Sequence, residues 1–171
     1  PELRRDPITS RWVVLAPSRA SRPESLPSRG EQDVQSAEDC PFCEGHEAMT
    51  PPEVAAVREG SKPDTPGWKV RVVPNLFPAF SVDDGPADMS NPLRTYGPAL
   101  GLTEVIIHGP DHDRWLPYLS ASHAEAIMAT TFARYWRHRV RGVGTVLPLY
   151  NHGSDAGASL MHPHGQIYAT R

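Results

Sequence analysis

Nineteen prolines in 171 residues set the first limit on what this chain can fold into. Proline has no N–H to donate and fixes φ, so it ends helices and is kept out of central strands. The chain must therefore be built from short elements joined by long ordered loops. One stretch escapes this limit, because Ser122 to Arg141 contains neither proline nor glycine. Ser122 with Glu125 three residues on predicts a capping box, and Gly142 a glycine terminus. Ile127, Met128, Thr131, Tyr135 and Val140 are expected on the buried face of this helix. Arg134, Arg137, His138, Arg139 and Arg141 crowd its end, where cations suit the helix dipole, and they read as a solvated terminus.

Strands are expected on either side of the helix. Trp12 to Leu15 reads as a short buried strand, and Lys69 to Val73 as one that Pro74 ends. Ala79 to Val82 is a weaker candidate, and Asp83 to Gly101 reads as loop. Thr103 to His108, Val143 to Tyr150 and Gly165 to Ala169 complete the set. Strands before and after one long helix predict an α+β fold with a mainly antiparallel sheet and long Pro-rich loops. Residues 1–171 are read as a single domain, with the Ser-, Pro- and Arg-rich residues 17–38 as an extended arm or loop.

Composition narrows the function classes. Residues are 39% hydrophobic and 22% charged, and the formal net charge is -3. There is no bulk basic field for nucleic acid, so an anionic ligand must be met by local arginines. No run approaches the roughly 20 apolar residues that span a bilayer, and no charged-then-apolar leader opens the chain. The first residue is Pro1, which predicts processing or trimming. Two cysteines are too few for a disulfide scaffold, and a reducing cytoplasm is the expected setting.

Chemistry concentrates in His162-Pro163-His164-Gly165-Gln166. In an extended run His162, His164 and Gln166 point to one face, which gathers two imidazoles and an amide in a small volume. Such a trio can bind metal, attack phosphorus or hold a phosphate oxygen. Cys40 and Cys43 form C-x₂-C, which reads as half of a zinc site or as two buried thiols.

The H-P-H-x-Q run resembles the histidine-triad superfamily in the form carried by the galactose-1-phosphate uridylyltransferase branch. Four further blocks resemble that branch in the same order: the opening R-D-P-I-T-S-R-W-V-V-L-A-P-S-R-A-S-R-P, then C-P-F-C, V-V-P-N-L-F-P-A and G-P-D-H-D-R-W-L-P. The resemblance implies a histidine-triad-like fold and a UDP-glucose–hexose-1-phosphate uridylyltransferase of galactose metabolism. It implies a double displacement with His164 as nucleophile and Gln166 as partner of the phosphoryl oxygens. Neutral imidazole is nucleophilic near pH 7, and splitting the transfer in two makes each displacement easier.

The same resemblance adds His112 and His162 to Cys40 and Cys43 as a closed Cys₂His₂ zinc set, structural rather than water-activating. His108 is the nearest rival ligand. Arg19 and Arg22 match sugar-phosphate contacts, for which guanidinium forks are suited. Asn75, Phe77, Val105 and Asn151 match nucleoside-binding positions, and Ser159 a phosphate-binding serine. The family is about twice as long, which implies either a homodimer or association with a second-half chain.

Two positions depart from the branch. Leu76 stands where N-D-F versions carry aspartate, and Met161 where proline is usual. Leu76 keeps open a nucleotidyl phosphorylase of the ADP-glucose or dinucleoside-tetraphosphate type. A zinc-stabilised nucleotide-binding module without catalysis is the third reading.

Overall fold

The computed structural model describes residues 1–21, 36–142, 144–153, 156 and 158–171. Two antiparallel sheets and one long helix organise them, as the α+β expectation requires. The small sheet joins β1 (Glu2–Arg5), β2 (Trp12–Leu15) and β5 (Tyr96–Pro98) in the order β2-β1-β5. The large sheet joins β3 (Ala55–Arg58), β4 (Trp68–Pro74), β6 (Gly101–Ile107), β7 (Thr145–Leu149) and β8 (His164–Thr170) in the order β3-β4-β6-β8-β7. Helix α1 spans Ala121–Arg139.

The histidine motif opens β8, which is paired on both sides, by β6 over seven registered residues and by β7 over five. It is therefore an interior strand, although it lies at the end of the sequence. Pro148 sits on the outer strand β7, where a missing N–H costs no ladder bond. Gly101 allows β6 to start, because a Cβ there would run into the Ala169 carbonyl.

Strand alternation gives the large sheet two different faces. One carries Val70, Val72, Ile106, Ile167 and Ala169, and α1 packs there through Ile127. The other carries Val73, Val105 and Ile107, and is covered by Cys40, Phe42 and Cys43 with Trp68. Each fully buried Val or Ile contributes about 2 kcal/mol. The sheet thus holds the helix on one side and a cysteine knuckle on the other.

Several expectations are corrected. β2 forms where predicted, but Trp12 and Val13 are each 49% exposed, so it is not a buried strand. Ala79 to Val82 contributes only an isolated bridge between Ser81 and Leu100. The helix is capped by Ser120, whose Oγ accepts the His123 N–H, and not by Ser122. His123 explains the shift, since its Nε2 bonds the Lys69 and His108 carbonyls and pins the first turn to the sheet.

The helix face is rotated from the apolar reading. Ile127, Thr130, Arg134 and His138 are buried, while Met128 and Val140 face outward. Arg134 and His138 are not solvated. They close on the buried Glu104 of the central strand, Arg134 through a two-pronged hydrogen bond and His138 at 3.1 Å. A buried carboxylate needs such partners, and that demand outweighed the apolar periodicity.

Residues 17–21 form a 3₁₀ turn and 37–39 another, so the expected arm is not featureless at its ends. Its middle, including Arg22, lies outside the described residues.

Candidate metal centre and nucleophile site

Cys40 and Cys43 lie on a tight turn in which the Cys43 N–H bonds the Cys40 carbonyl and the His46 N–H bonds the Cys43 carbonyl. His46 Nδ1 closes the same turn on the Cys40 carbonyl at 2.7 Å. The Glu44 N–H reaches the Pro110 carbonyl and so ties the knuckle to the G-P-D-H loop. That loop delivers His112, and the residues before β8 deliver His162.

The four side chains converge. One ligand atom each from Cys40, Cys43, His112 and His162 lies within 4.8 Å of the others. Cys40 Sγ stands 3.7 Å from His162 Nδ1, and Cys43 Sγ stands 3.6 Å from His162 Nδ1 and 3.3 Å from His112 Nδ1. Around a tetrahedral ion with ordinary thiolate and imidazole bonds, that separation is about 3.5 Å. The donor set fits a metal ion. Burial, with Cys40 beside it, pushes the Cys43 thiol up to about 12. Thiolates are therefore costly here unless a cation compensates them.

His162 is prepared as a ligand. Its Nε2 donates to the Gly109 carbonyl at 2.8 Å, which leaves the Nδ1 lone pair facing the sulfurs. Burial lowers its pKa to about 4, so the ring is neutral at pH 7. His108, the rival ligand, is outside this cluster. Its ring stacks on Tyr150 and packs over Gly165, where a Cβ would lie 3.2 Å from its Nε2.

Register places the rest of the motif. His164 is opposite Ile107, Gln166 opposite Val105 and Tyr168 opposite Thr103, so all three share the knuckle face. His164 and Gln166 are buried. The Phe42 ring meets His164 edge-on at 5.3 Å and His162 at 6.1 Å, so it packs against both motif histidines. His164 Nδ1 donates to the His162 carbonyl at 2.8 Å. A carbonyl only accepts, so Nδ1 carries a proton, and in the neutral form of the ring the lone pair lies on Nε2.

The substrate-binding expectations fall in three places. Val105 is buried between Val73 and Gln166 in the sheet. Asn75 and Phe77 follow β4. The Asn75 N–H bonds the Thr103 carbonyl, and its Oδ1 accepts the Phe77 N–H. Arg19 reaches this loop by donating to the Phe77 carbonyl at 3.2 Å, so the 3₁₀ turn and the loop are joined. Asn151 and Ser159 are half-buried on the segment between β7 and β8. Leu76 is 63% exposed at the loop.

Two contributors were missed. Phe42, which the sequence reading did not single out, contacts both motif histidines. Tyr168, whose hydroxyl donates to Gln166 Oε1 at 2.9 Å, continues the same period-two face, and that periodicity was the available signal.

The whole chain, residues 1–171, matches the family described as galactose-1-phosphate uridyl transferase, N-terminal domain. ADP-glucose phosphorylase from Arabidopsis thaliana is 32% identical over 99% of this chain and 48% of its own length. Galactose-1-phosphate uridylyltransferase from Haemophilus influenzae is 32% identical over 99% of this chain and 46% of its own. A crystal structure of the Arabidopsis thaliana ADP-glucose phosphorylase with bound ADP-glucose superposes with a TM-score of 0.64 at 30% identity, covering 99% of this chain and 49% of that one. The chain thus spans about half the length of the curated relatives it matches.

Proposed function

We propose, from the premise that this chain belongs to the galactose-1-phosphate uridyl transferase family, that it carries the nucleophile of a UDP-glucose–hexose-1-phosphate uridylyltransferase. The observation that carries the reading is the 2.8 Å contact between His164 Nδ1 and the His162 carbonyl, which assigns the tautomer. With Nδ1–H held by the His162 carbonyl, Nε2 presents the lone pair that attacks. It attacks the α-phosphorus of UDP-glucose, a P–N bond forms, the P–O bond breaks, and glucose 1-phosphate leaves. The phosphate of a hexose 1-phosphate then attacks the uridylyl-histidine, which restores neutral His164. Gln166 donates its amide hydrogens to the phosphoryl oxygens, giving stabilisation without adding charge.

Asn75, Phe77, Val105 and Asn151 would hold the nucleoside. Ser159, Arg19 and Arg22 would hold the phosphates and sugar. Arg19 already reaches the Asn75–Phe77 loop, which supports a joint role. Cys40, Cys43, His112 and His162 would hold zinc, for which the two-thiol, two-imidazole set and its spacing are suited. Bound there, zinc would supply structural cross-linking and would hold the strand start from which His164 projects.

A nucleotidyl phosphorylase using ADP-glucose is the second reading. The ADP-glucose phosphorylase relative favours it, as does an apolar, exposed Leu76 in the nucleoside loop. Among the described residues no helix is long and apolar enough to cross a membrane. Two free cysteines at metal-ligand spacing suit a reducing cytoplasm, where we place the protein. The outer face of α1, with Met128, Phe132, Trp136 and Val140 exposed, supports association with a second copy or a second-half chain.

The test is incubation with α-phosphorus-labelled UDP-glucose or ADP-glucose, followed by mapping of acid-labile label to a residue. Label on His164 from UDP-glucose, discharged by a hexose 1-phosphate, is the expected result. Label from ADP-glucose discharged by inorganic phosphate would select the phosphorylase. No label from either, or label elsewhere, would sink both.

A further inference from the structure

A glutamine amide helps a phosphoryl group only when its NH₂ faces the phosphate. Its oxygen and nitrogen edges are nearly isosteric, so a flip replaces two donors by an acceptor and turns attraction into repulsion. Something must decide the orientation of Gln166. β8 places Tyr168 two residues on, on the same face. Its hydroxyl donates to Gln166 Oε1 at 2.9 Å. That bond holds the carbonyl oxygen toward Tyr168 and leaves the NH₂ on the other edge of the amide, while His164 lies two residues back on the same face of the strand.

The tyrosine is itself held. Phe80 meets its ring edge-on, with centroids 6.1 Å apart and planes at 84°. Phe80 belongs to the segment that follows Asn75 and Phe77, so the nucleoside loop packs against the residue that orients the phosphate amide. We infer that Tyr168 is a positioning residue that fixes the Gln166 amide with its donors toward the phosphoryl group. It does so through Gln166 and without touching substrate, and the inference rests on the proposed role of Gln166.

Tyr168→Phe removes the hydroxyl and keeps the ring on Phe80. The expected result in single-turnover nucleotidylation is a rate lower by about tenfold, the loss of one oriented hydrogen bond. Nucleotide-sugar Kd and metal content should stay unchanged. Introduced into Gln166→Ala, the same substitution should leave the rate within about twofold of the single Gln166→Ala protein, since residues acting as a unit are non-additive. The Gln166 side-chain amide resonances should report one ordered amide in the wild type and an averaged one in Tyr168→Phe. An undiminished rate in Tyr168→Phe, or an equal loss with alanine at 166, overturns the inference. If Gln166→Ala is itself silent, the proposed role of Gln166 fails, and the amide resonances alone judge whether Tyr168 orients it.

Discussion

His162 and His164, separated only by Pro163, carry their ring protons on opposite nitrogens. His162 gives its Nε2–H to the Gly109 carbonyl and turns Nδ1 to the sulfurs. His164 gives its Nδ1–H to the His162 carbonyl and keeps the lone pair on Nε2. The backbone of His162 therefore sets the tautomer of His164. Two chemically identical side chains present different ring nitrogens because of two carbonyls.

That division predicts unlike outcomes for two similar substitutions. His164→Ala should abolish covalent nucleotidylation, by about 10³-fold or more, with metal content unchanged. His162→Ala should lose metal and about 3 kcal/mol or more of stability, a fall in Tm of roughly 10 °C. Labelling, metal analysis and thermal unfolding on the two proteins check this. Equal metal loss in both would refute the assignment.

Freshly purified protein should contain one zinc per chain. X-ray absorption should give Zn–S near 2.3 Å and Zn–N near 2.0–2.1 Å, from two of each. Strong chelation should lower Tm, and Cys43→Ser should mimic it. A chain with no metal and an undiminished Tm in chelator would show that the four side chains pack without an ion.

Half of the metal set, Cys40 and Cys43, was legible from C-x₂-C spacing, and the family resemblance supplied His112 and His162. Cys40, Cys43, His112 and His162 come together as expected, although up to 122 residues separate Cys40 from His162. β4 was legible from its alternation, and β6 and β8 were also expected where they form. β2 shows the limit of reading burial from sequence, since Trp-Val-Val-Leu reads the same whether or not anything covers it. The ion cluster was hidden for another reason. Glu104 and Arg134 lie 30 residues apart, and nothing local marks either as buried. Only the sheet register brings the carboxylate under the helix. The same contact rotates α1, which is why Met128 and Val140 were placed wrongly. Tyr168 was visible in period but not in role, because its role depends on which edge of Gln166 it meets.

Arg71 should prove a stability residue rather than a phosphate ligand. It is 1% exposed on β4 and bonds Glu53 at 3.0 Å, Asp64 at 2.6 Å, Thr50 at 2.8 Å and the Glu47 carbonyl, so it clamps the segment after the knuckle to the sheet. Arg71→Met leaves the buried Glu53 with one cation fewer, and a loss of about 3 kcal/mol is expected in urea unfolding. A silent Arg71→Met would show that Arg58, which also pairs with Glu53, suffices alone.

Glu104 gives the fold a specific acid limb. Burial works to raise its carboxyl, but the hydrogen bonds and charge of Arg134, with His138 close beside the carboxylate, outweigh it and hold the pKa below the ordinary 4.5. A group whose folded pKa is depressed adds stability that is present above its unfolded pKa and is lost as pH falls through the folded one. The Glu104 contribution should therefore be constant from neutral pH down to about 5 and decay below about 4.5. Glu47 and Asp64 are also held low, so the wild-type curve alone does not isolate Glu104. The difference between wild type and Glu104→Gln does. The neutral amide leaves Arg134 buried without its counter-charge, and at pH 7 the variant should be less stable by about 3 kcal/mol. The gap should narrow as pH falls below about 4.5, because only the wild type loses a charge there. A gap that stays constant from pH 7 to pH 3 would mean that Glu104 acts through packing and hydrogen bonds alone. A gap that widens on acidification would reverse the sign of the linkage and remove the ion pair from the account of why α1 sits on this face.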